Sequence, residues 1–249
     1  MSKNNKSQNL TNLASPKIGT KIVEVSDDFF GEASRMLDDK EPVFIEDKYD
    51  EHGKWMDGWE SKRRRDGGND WAIIELGSPG IITEIDIDTS FFTGNFPPFA
   101  SIEGLYSDQK PSKDSDWIEI LSKTSLKGDS SNKFKIESKT TVNFIKLQIF
   151  PDGGVARLRL FGEVKLNWEN YENKNDLIEL SSLKLGGSIV AYNNAHYGDV
   201  SALLSHGRGK TMGDGWETRR RREPGNDWII IKLATKGSIK KIEIDTAHF

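Results

Sequence analysis

Apolar residues in this chain come in short runs rather than at helical spacing. Runs rich in Ile, Val, Phe and Leu occupy 72–76, 81–88, 101–106, 117–121, 133–137, 143–150 and 157–161. Between them lie clusters of Gly, Pro, Asn, Asp and Ser at 77–80, 93–98, 110–116, 128–132 and 151–154. Such runs bounded by turn residues predict strands. Ile81, Ile85 and Ile87 alternate with Glu84, Asp86 and Asp88, and Leu158 and Leu160 alternate with Arg157 and Arg159. Period-two alternation of this kind predicts strands with one face in the core and one in water. A single short helix is expected over 29–37, with Asp27 or Asp28 capping its start. Many short strands and almost no helix predict an all-β fold, a β-sandwich of the jelly-roll type.

The chain also repeats itself. Asp57-Gly58-Trp59-Glu60 recurs as Asp214-Gly215-Trp216-Glu217, an offset of 157 that holds without a gap to Phe249. Over the 36 positions 57–92 and 214–249, 21 residues are identical. Upstream, IVEVSDDFFGEASRML (22–37) matches IVAYNNAHYGDVSALL (189–204) at an offset of 167. The first copy therefore carries ten extra residues between these blocks, expected as a longer loop near 41–54. A period this long signals a duplicated domain rather than a solenoid unit. The expected organisation is a polar N-terminal tail at 1–17, a first copy at 18–164, an Asn- and Glu-rich linker at 165–182, and a second copy at 183–249. Phe249 is equivalent to Phe92, so the second sandwich is expected to be incomplete, with exposed sheet edges and poor solubility.

Composition narrows the function classes. The 249 residues hold 35 Lys+Arg against 39 Asp+Glu, a formal charge of −4, with seven Trp and twelve Phe. That is too aromatic for a disordered chain. No Cys is present, which removes disulfides, thiolate metal sites and cysteine nucleophiles. The opening MSKNNKSQNLTNLASPKIG has no apolar signal core, and no apolar run approaches membrane-helix length, so a cytoplasmic protein is expected.

The block 57–71 is the richest in chemistry. Lys62, Arg63, Arg64 and Arg65 stand beside Asp57, Glu60, Asp66 and Asp70, and the second copy keeps Arg219 to Arg222 beside Asp214, Glu217, Glu223 and Asp227. This local balance argues against a nucleic-acid partner. If the run is extended, alternate side chains face opposite ways, and an inward Arg needs a carboxylate or an anionic ligand. Two readings stay open: Arg–Asp pairs that staple a loop, or guanidinium forks that grip a small carboxylate. Gly-Asn-Asp-Trp (68–71 and 225–228) is expected to turn into a strand, with Trp71 and Trp228 in the core. Asp88 and Asp245 end a strand and are open to a structural or a functional role, while the rigid segment 93–98 is expected to shape a pocket. His52, His196, His206 and His248 show no helical metal spacing, so neither a metal site nor a cofactor is supported. His196 and His248 stand where the first copy has Phe29 and Phe91, and each is open to packing or to acid–base work.

The segment DGWESKRRR…GNDWAIIELGSPGIITEIDIDTSFFTGNFPPFASIEG, with NFIKLQIFPDGGVARLRLFGEV, resembles the allantoicase family across nearly all of 18–249. The resemblance implies two tandem galactose-binding-like jelly rolls, the second incomplete here. It also implies hydrolysis of allantoate to ureidoglycolate and urea in purine-derived nitrogen recovery. Allantoate carries a carboxylate and two ureido groups, so a cation for the former and an acid–base pair for C–N cleavage are required. On that basis Arg63, Arg65, Arg220 and Arg222 are the candidate anion grip, and Glu60, Asp88, Glu217, Asp245 and His248 the candidate acid–base groups. A homo-oligomer is expected of the full-length protein. A non-catalytic jelly roll binding a sugar or another small ligand is the competing expectation.

Overall fold

The computed structural model describes residues 10–172, 177–197 and 199–249. Two compact units are present, one of Asn12–Lys165 and one of Leu166–Phe249 together with the segment that ends at Thr11.

The first unit contains β1 (Thr11–Asn12), β2 (Lys21–Val25), β3 (Tyr49–Asp50), β4 (Gly53–Lys54), β5 (Trp59–Glu60), β6 (Asp70–Asp88), β7 (Phe99–Leu105), β8 (Ile118–Ser125), β9 (Ser131–Lys135), β10 (Val142–Phe150), β11 (Gly154–Val155) and β12 (Arg157–Val164). All pairings are antiparallel. The 19-residue β6 is the spine. Residues 72–75 pair with β2 and 70–75 with β10, which continues through β7 to β8. Residues 80–88 pair with β12, and 84–88 with β9. One strand thus serves both layers of an all-β jelly roll.

The exchange of partners takes place at Gly77-Ser78-Pro79-Gly80, expected as a turn but built as continuous strand. A Cβ on Gly77 would stand 2.1 Å from the Ile18 carbonyl oxygen, so only glycine lets the chains approach. The register of β6 and β12 slips between the Glu84–Phe161 and Ile82–Gly162 pairs. That bulge places Ile82 in the core with Ile85 and Ile87, and leaves Ile81 half-buried.

Four further expectations are corrected. The helix over 29–37 shrinks to a 3₁₀ turn, Ala33–Leu37, because the Phe30 and Gly31 amides are already engaged by the Glu60 carbonyl. Asp27 does not cap it; its Oδ1 accepts from the Phe29 and Lys62 amides. The water face assigned to β6 and β12 is dry: Asp86, Asp88 and Arg157 are buried. Asp86 is engaged by Ser131 of β9 and Asp88 by Ser90 and Arg159, while Arg157, 1% exposed, is bonded to both ends of the loop 38–57. Its Nε donates to Lys40 O at 2.8 Å, Nη1 to Asp57 O at 2.8 Å, and Nη2 to Asp57 Oδ2 at 2.7 Å. Trp71 is only half-buried and Trp228 is exposed, since the buried parity of this segment starts at Asp70; the core indole is Trp59. Of the segment expected to be a polar tail, residues 1–9 lie outside the described residues, while Leu13 and Ala14 are fully buried. Residues 173–176 of the expected linker likewise lie outside the described residues.

The second unit repeats the opening of the first. A 3₁₀ turn at Pro16–Ile18 ends on Gly19 (φ 99°, ψ 12°), and its counterpart Leu183–Leu185 ends on Gly186 (φ 100°, ψ 12°). β13 (Ser188–Tyr192) pairs with β14 (Ile229–Lys232), as β2 pairs with β6. Val200–Leu204 repeats Ala33–Leu37. Residues 238–245, equivalent to the second half of β6, form no strand, and Ile239, Ile242 and Ile244 are exposed. No helix of the described residues is long and apolar enough to cross a membrane.

Candidate functional site

Residues 61–65 run extended along one end of the first sandwich, held from both sides. Ser61 exchanges hydrogen bonds with Gly153, and the Arg64 amide donates to Asp152 Oδ2 at 2.7 Å. On the other side the turn at 26–27 is pinned to the strands. Asp27 O accepts from Trp59 Nε1 at 2.9 Å, and Ser26 Oγ donates to Asp70 Oδ1 at 2.9 Å.

Within this frame the basic run divides by parity. Arg64 is consumed by the fold: Nε and Nη2 grip Asp66 at 2.9 and 2.6 Å, and Nη1 reaches Asp70 Oδ1 at 2.8 Å. The pairing raises the Arg64 pKa and holds the Asp66 carboxyl well below the usual carboxylate range. Arg63 and Arg65 are exposed and make no hydrogen bond or ion pair among the described residues. Both line a cleft of about 530 Å³ whose walls carry Lys62, Arg63, Arg64 and Arg65 against Asp27, Asp66 and Asp70. Four cations face three carboxylates there, so the cleft is suited to an anion.

A second cleft, of about 320 Å³, is lined by Phe30, His52, Gly53, Lys54, Met56, Glu60 and Asn95. The main chain of Glu60 is fixed by pairing with Gly154 and Gly31. Its carboxyl accepts from Asn95 Nδ2 at 2.6 Å. Burial pushes the Glu60 pKa up, and the Asn95 bond offsets this in part. Phe29 lies between the two clefts' residues: its ring is 4.1 Å from that of His52, and Lys62 Nζ sits 4.1 Å above it. A carboxyl whose pKa is raised by burial is therefore placed close in the chain to an unpaired cationic pair. Asp88 lines neither cleft; Oδ1 accepts from the Ser90 amide and hydroxyl at 2.8 and 2.6 Å, and Oδ2 is 3.5 Å from Arg159.

The second unit rebuilds part of this frame. Trp216 Nε1 donates to Asn194 O at 2.8 Å, and Arg221 Nη2 pairs with Asp227 Oδ1 at 2.6 Å. Arg220 and Arg222 are exposed without partners among the described residues, and Glu217 is half-buried with its carbonyl accepting from the His196 amide. Asp245 lies 3.4 Å from Arg208, and His248, at φ 73°, places Nε2 3.0 Å from Gly209 O. His196 packs against Tyr197. Among the described residues no group of three or more His, Asp or Glu is arranged to hold a metal ion.

Lys54 and Met56 of the second cleft were not singled out by the sequence, and His52 was weighed only as a metal ligand. All three fall within or beside the ten-residue insertion of the first copy, which was the signal that marks them.

A family model described as Allantoicase repeat matches residues 11–165 and 178–249. The chain belongs to the allantoicase family. Among relatives, "Probable allantoicase 1" of Burkholderia mallei is 50% identical over 239 residues, covering 96% of this chain and 71% of its own length. A "Probable allantoicase" of Acinetobacter baylyi is 50% identical over 240 residues, with 96% and 71% covered. The crystal structure of allantoicase from Saccharomyces cerevisiae superposes with a TM-score of 0.79 at 34% identity, over 92% of this chain and 70% of that one. Both clefts lie in the first of the matched allantoicase repeats.

Proposed function

We propose that this chain is a hydrolase converting allantoate and water to ureidoglycolate and urea, and that the first repeat binds the substrate at Arg63 and Arg65. Allantoicase activity in purine degradation follows from the family; the assignment of residues rests on the geometry. The observation that carries it is the parity of the basic run: Arg64 is spent on Asp66 and Asp70, while Arg63 and Arg65 line the cleft with their guanidinium groups unpaired. Two unpaired forks suit one carboxylate. Glu60, kept nearer its neutral form by burial, is the acid that protonates departing urea, with His52 on the same cleft wall. Asp88 is assigned to holding the sheet through Ser90 and Arg159. Glu217, Arg220 and Arg222 hold the equivalent positions of the second repeat, and Asp245 and His248 are its further acid–base candidates. A cytoplasmic setting, a homo-oligomeric assembly and the absence of membrane or nucleic-acid partners belong to the same proposal. The charge balance of 57–71 supports the last of these.

The test is urea release from allantoate, with and without a chelator. Arg63→Lys or Arg65→Lys keeps the charge but loses the fork, and KM is expected to rise about tenfold with kcat little changed. Unchanged kinetics with a lowered Tm would return these arginines to a structural role.

A further inference from the structure

The cleft beneath residues 62–65 contains one buried acceptor that the fold leaves unused. Asp70 is 1% exposed and lines the cleft. Its Oδ1 accepts from Ser26 Oγ at 2.9 Å and Arg64 Nη1 at 2.8 Å, whereas Oδ2 has no hydrogen-bond partner among the described residues. The other two carboxylates of the wall are occupied. Asp27 Oδ1 takes the amides of Phe29 and Lys62, and Asp66 takes both Arg64 nitrogens and the Gly68 amide. A buried acceptor left without a donor costs about 1–3 kcal/mol, and more when charged. Such a group is kept where a ligand supplies the missing donor.

The second repeat keeps the same frame around its equivalent carboxylate. Asp227 Oδ1 accepts from Arg221 Nη2 at 2.6 Å and from Asn193 Nδ2 at 2.8 Å, Asn193 standing where the first repeat has Ser26. In both repeats the arginine and the residue at the turn meet this carboxylate at Oδ1, so these two bonds of the frame are made without Oδ2.

We propose that Asp70 Oδ2 accepts a terminal ureido N–H of the substrate. The cleft then reads both ends of an α-ureido carboxylate: Arg63 and Arg65 take the carboxylate, and Asp70 takes the urea-like donor. This rests on the assignment of the carboxylate to Arg63 and Arg65 made above. A site that offers a buried acceptor discriminates strongly against analogues without the donor.

Two inhibitors of urea release separate the ends: N-carbamoylglycine, with carboxylate and ureido N–H, and glycolate, with a carboxylate and a short hydroxyl but no ureido group. Asp70→Asn retains an oxygen for Ser26 and Arg64 and puts an amide N–H where Oδ2 stood. The inhibition constant of N-carbamoylglycine is expected to rise about tenfold or more, and that of glycolate to stay within about twofold. Both constants unchanged would mean that Oδ2 serves only a water, and both rising together would mean that Asp70 merely props Arg64; either result overturns the proposal, as does no inhibition by N-carbamoylglycine at all. Should the variant not fold, the unmodified protein still decides. N,N-dimethylcarbamoylglycine lacks the terminal donors and is expected to bind about tenfold more weakly than N-carbamoylglycine, so equal binding overturns the proposal. Glycolate inhibition unaffected by Arg63→Lys and Arg65→Lys would instead overturn the carboxylate assignment, while leaving the ureido comparison to judge Asp70.

Discussion

The two repeats carry the same hydrogen bonds in very different surroundings. Trp59 and Trp216 donate to the same turn carbonyl at 2.9 and 2.8 Å, the amides of Lys62 and Arg219 bond the side chains of Asp27 and Asn194, and Arg64 and Arg221 pair with Asp70 and Asp227. Yet Trp59 is fully buried and Trp216 only half-buried, and Ile85 and Ile87 are fully buried where Ile242 and Ile244 are 74% and 83% exposed. These shared bonds join groups within about forty-five residues of one another, so each repeat forms them from its own opening segment. Burial depends on β9, β10 and β12, which the first unit supplies from residues 131–164. The part of the frame common to both repeats is therefore local, whereas the Asp152 and Gly153 bonds that hold residues 61–64 in the first repeat, and the core behind them, are not.

If the frame alone sufficed for activity, Glu60 and Glu217 would be equivalent. They are not expected to be. The Glu60 carboxyl has Asn95 as a partner and a cleft wall built by the insertion, whereas the Glu217 carboxyl makes no hydrogen bond or ion pair among the described residues. Glu60→Gln is expected to lower kcat for urea release by about 10²–10⁴, the usual share of a general acid, and Glu217→Gln by far less. Equal losses would make the repeats functionally alike. A stability measurement separates acid–base work from packing. Burial raises the folded-state pKa of Glu60, so its stabilising contribution is complete below the unfolded value near 4.5 and is lost as pH rises through the folded pKa. Glu60→Gln escapes that loss and is expected to gain stability relative to the parent at pH 7 while losing activity. A variant less stable at pH 7 would show that the Asn95 bond outweighs desolvation.

The next effect tests the non-local half of the comparison. Trp59→Ala removes a fully buried indole and its bond to Asp27, and is expected to cost about 3–5 kcal/mol in denaturant unfolding. Trp216→Ala removes the same bond with less burial and is expected to cost clearly less. Equal costs would mean that the hydrogen bond, not the core, dominates.

What could be read from the sequence follows the same division. Strand runs such as 143–150 and 157–161 are legible because short apolar or alternating runs bounded by turn residues leave little choice. The duplication exposes both copies of the site block, and alternation along 62–65 separates Arg64 from Arg63 and Arg65, although it cannot tell which parity is spent. The errors are non-local. Gly77 and Gly80 read as a turn because nothing nearby shows that Ile18 O, Leu13 and Glu163 O crowd them. Asp86 and Arg157 read as part of a wet face because what engages them is far away in the chain: Ser131 for Asp86, and Lys40 and Asp57 for Arg157. Asp70 reads as a turn former because its burial is fixed by Ser26, forty-four residues earlier.

The smallest expected effect lies in that buried face. Asp86 and its counterpart Glu243 share a place in the repeat. Asp86 is buried with Ser131 Oγ at 2.9 and 3.0 Å, and Glu243 is exposed beside Lys241 at 2.9 Å. Burial raises the Asp86 pKa, with Asp88 adding to the rise and Ser131, Lys133 and Arg159 opposing it. The folded state therefore binds this proton more tightly than the unfolded chain, and the resulting stability is complete below about 3.8 and declines as pH climbs through the folded value. Asp86→Asn keeps the shape and an acceptor for Ser131 but never ionises. Its Tm is expected to exceed the parent's at pH 7 by no more than about 2–4 °C, the shift of ~1 kcal/mol in a protein of this size, with the difference vanishing as pH falls below about 4. Glu243→Gln is expected to show no such pH-dependent gain. A Tm for Asp86→Asn below the parent's at neutral pH would mean that the Arg159 and Lys133 cations, rather than desolvation, set the state of the buried face.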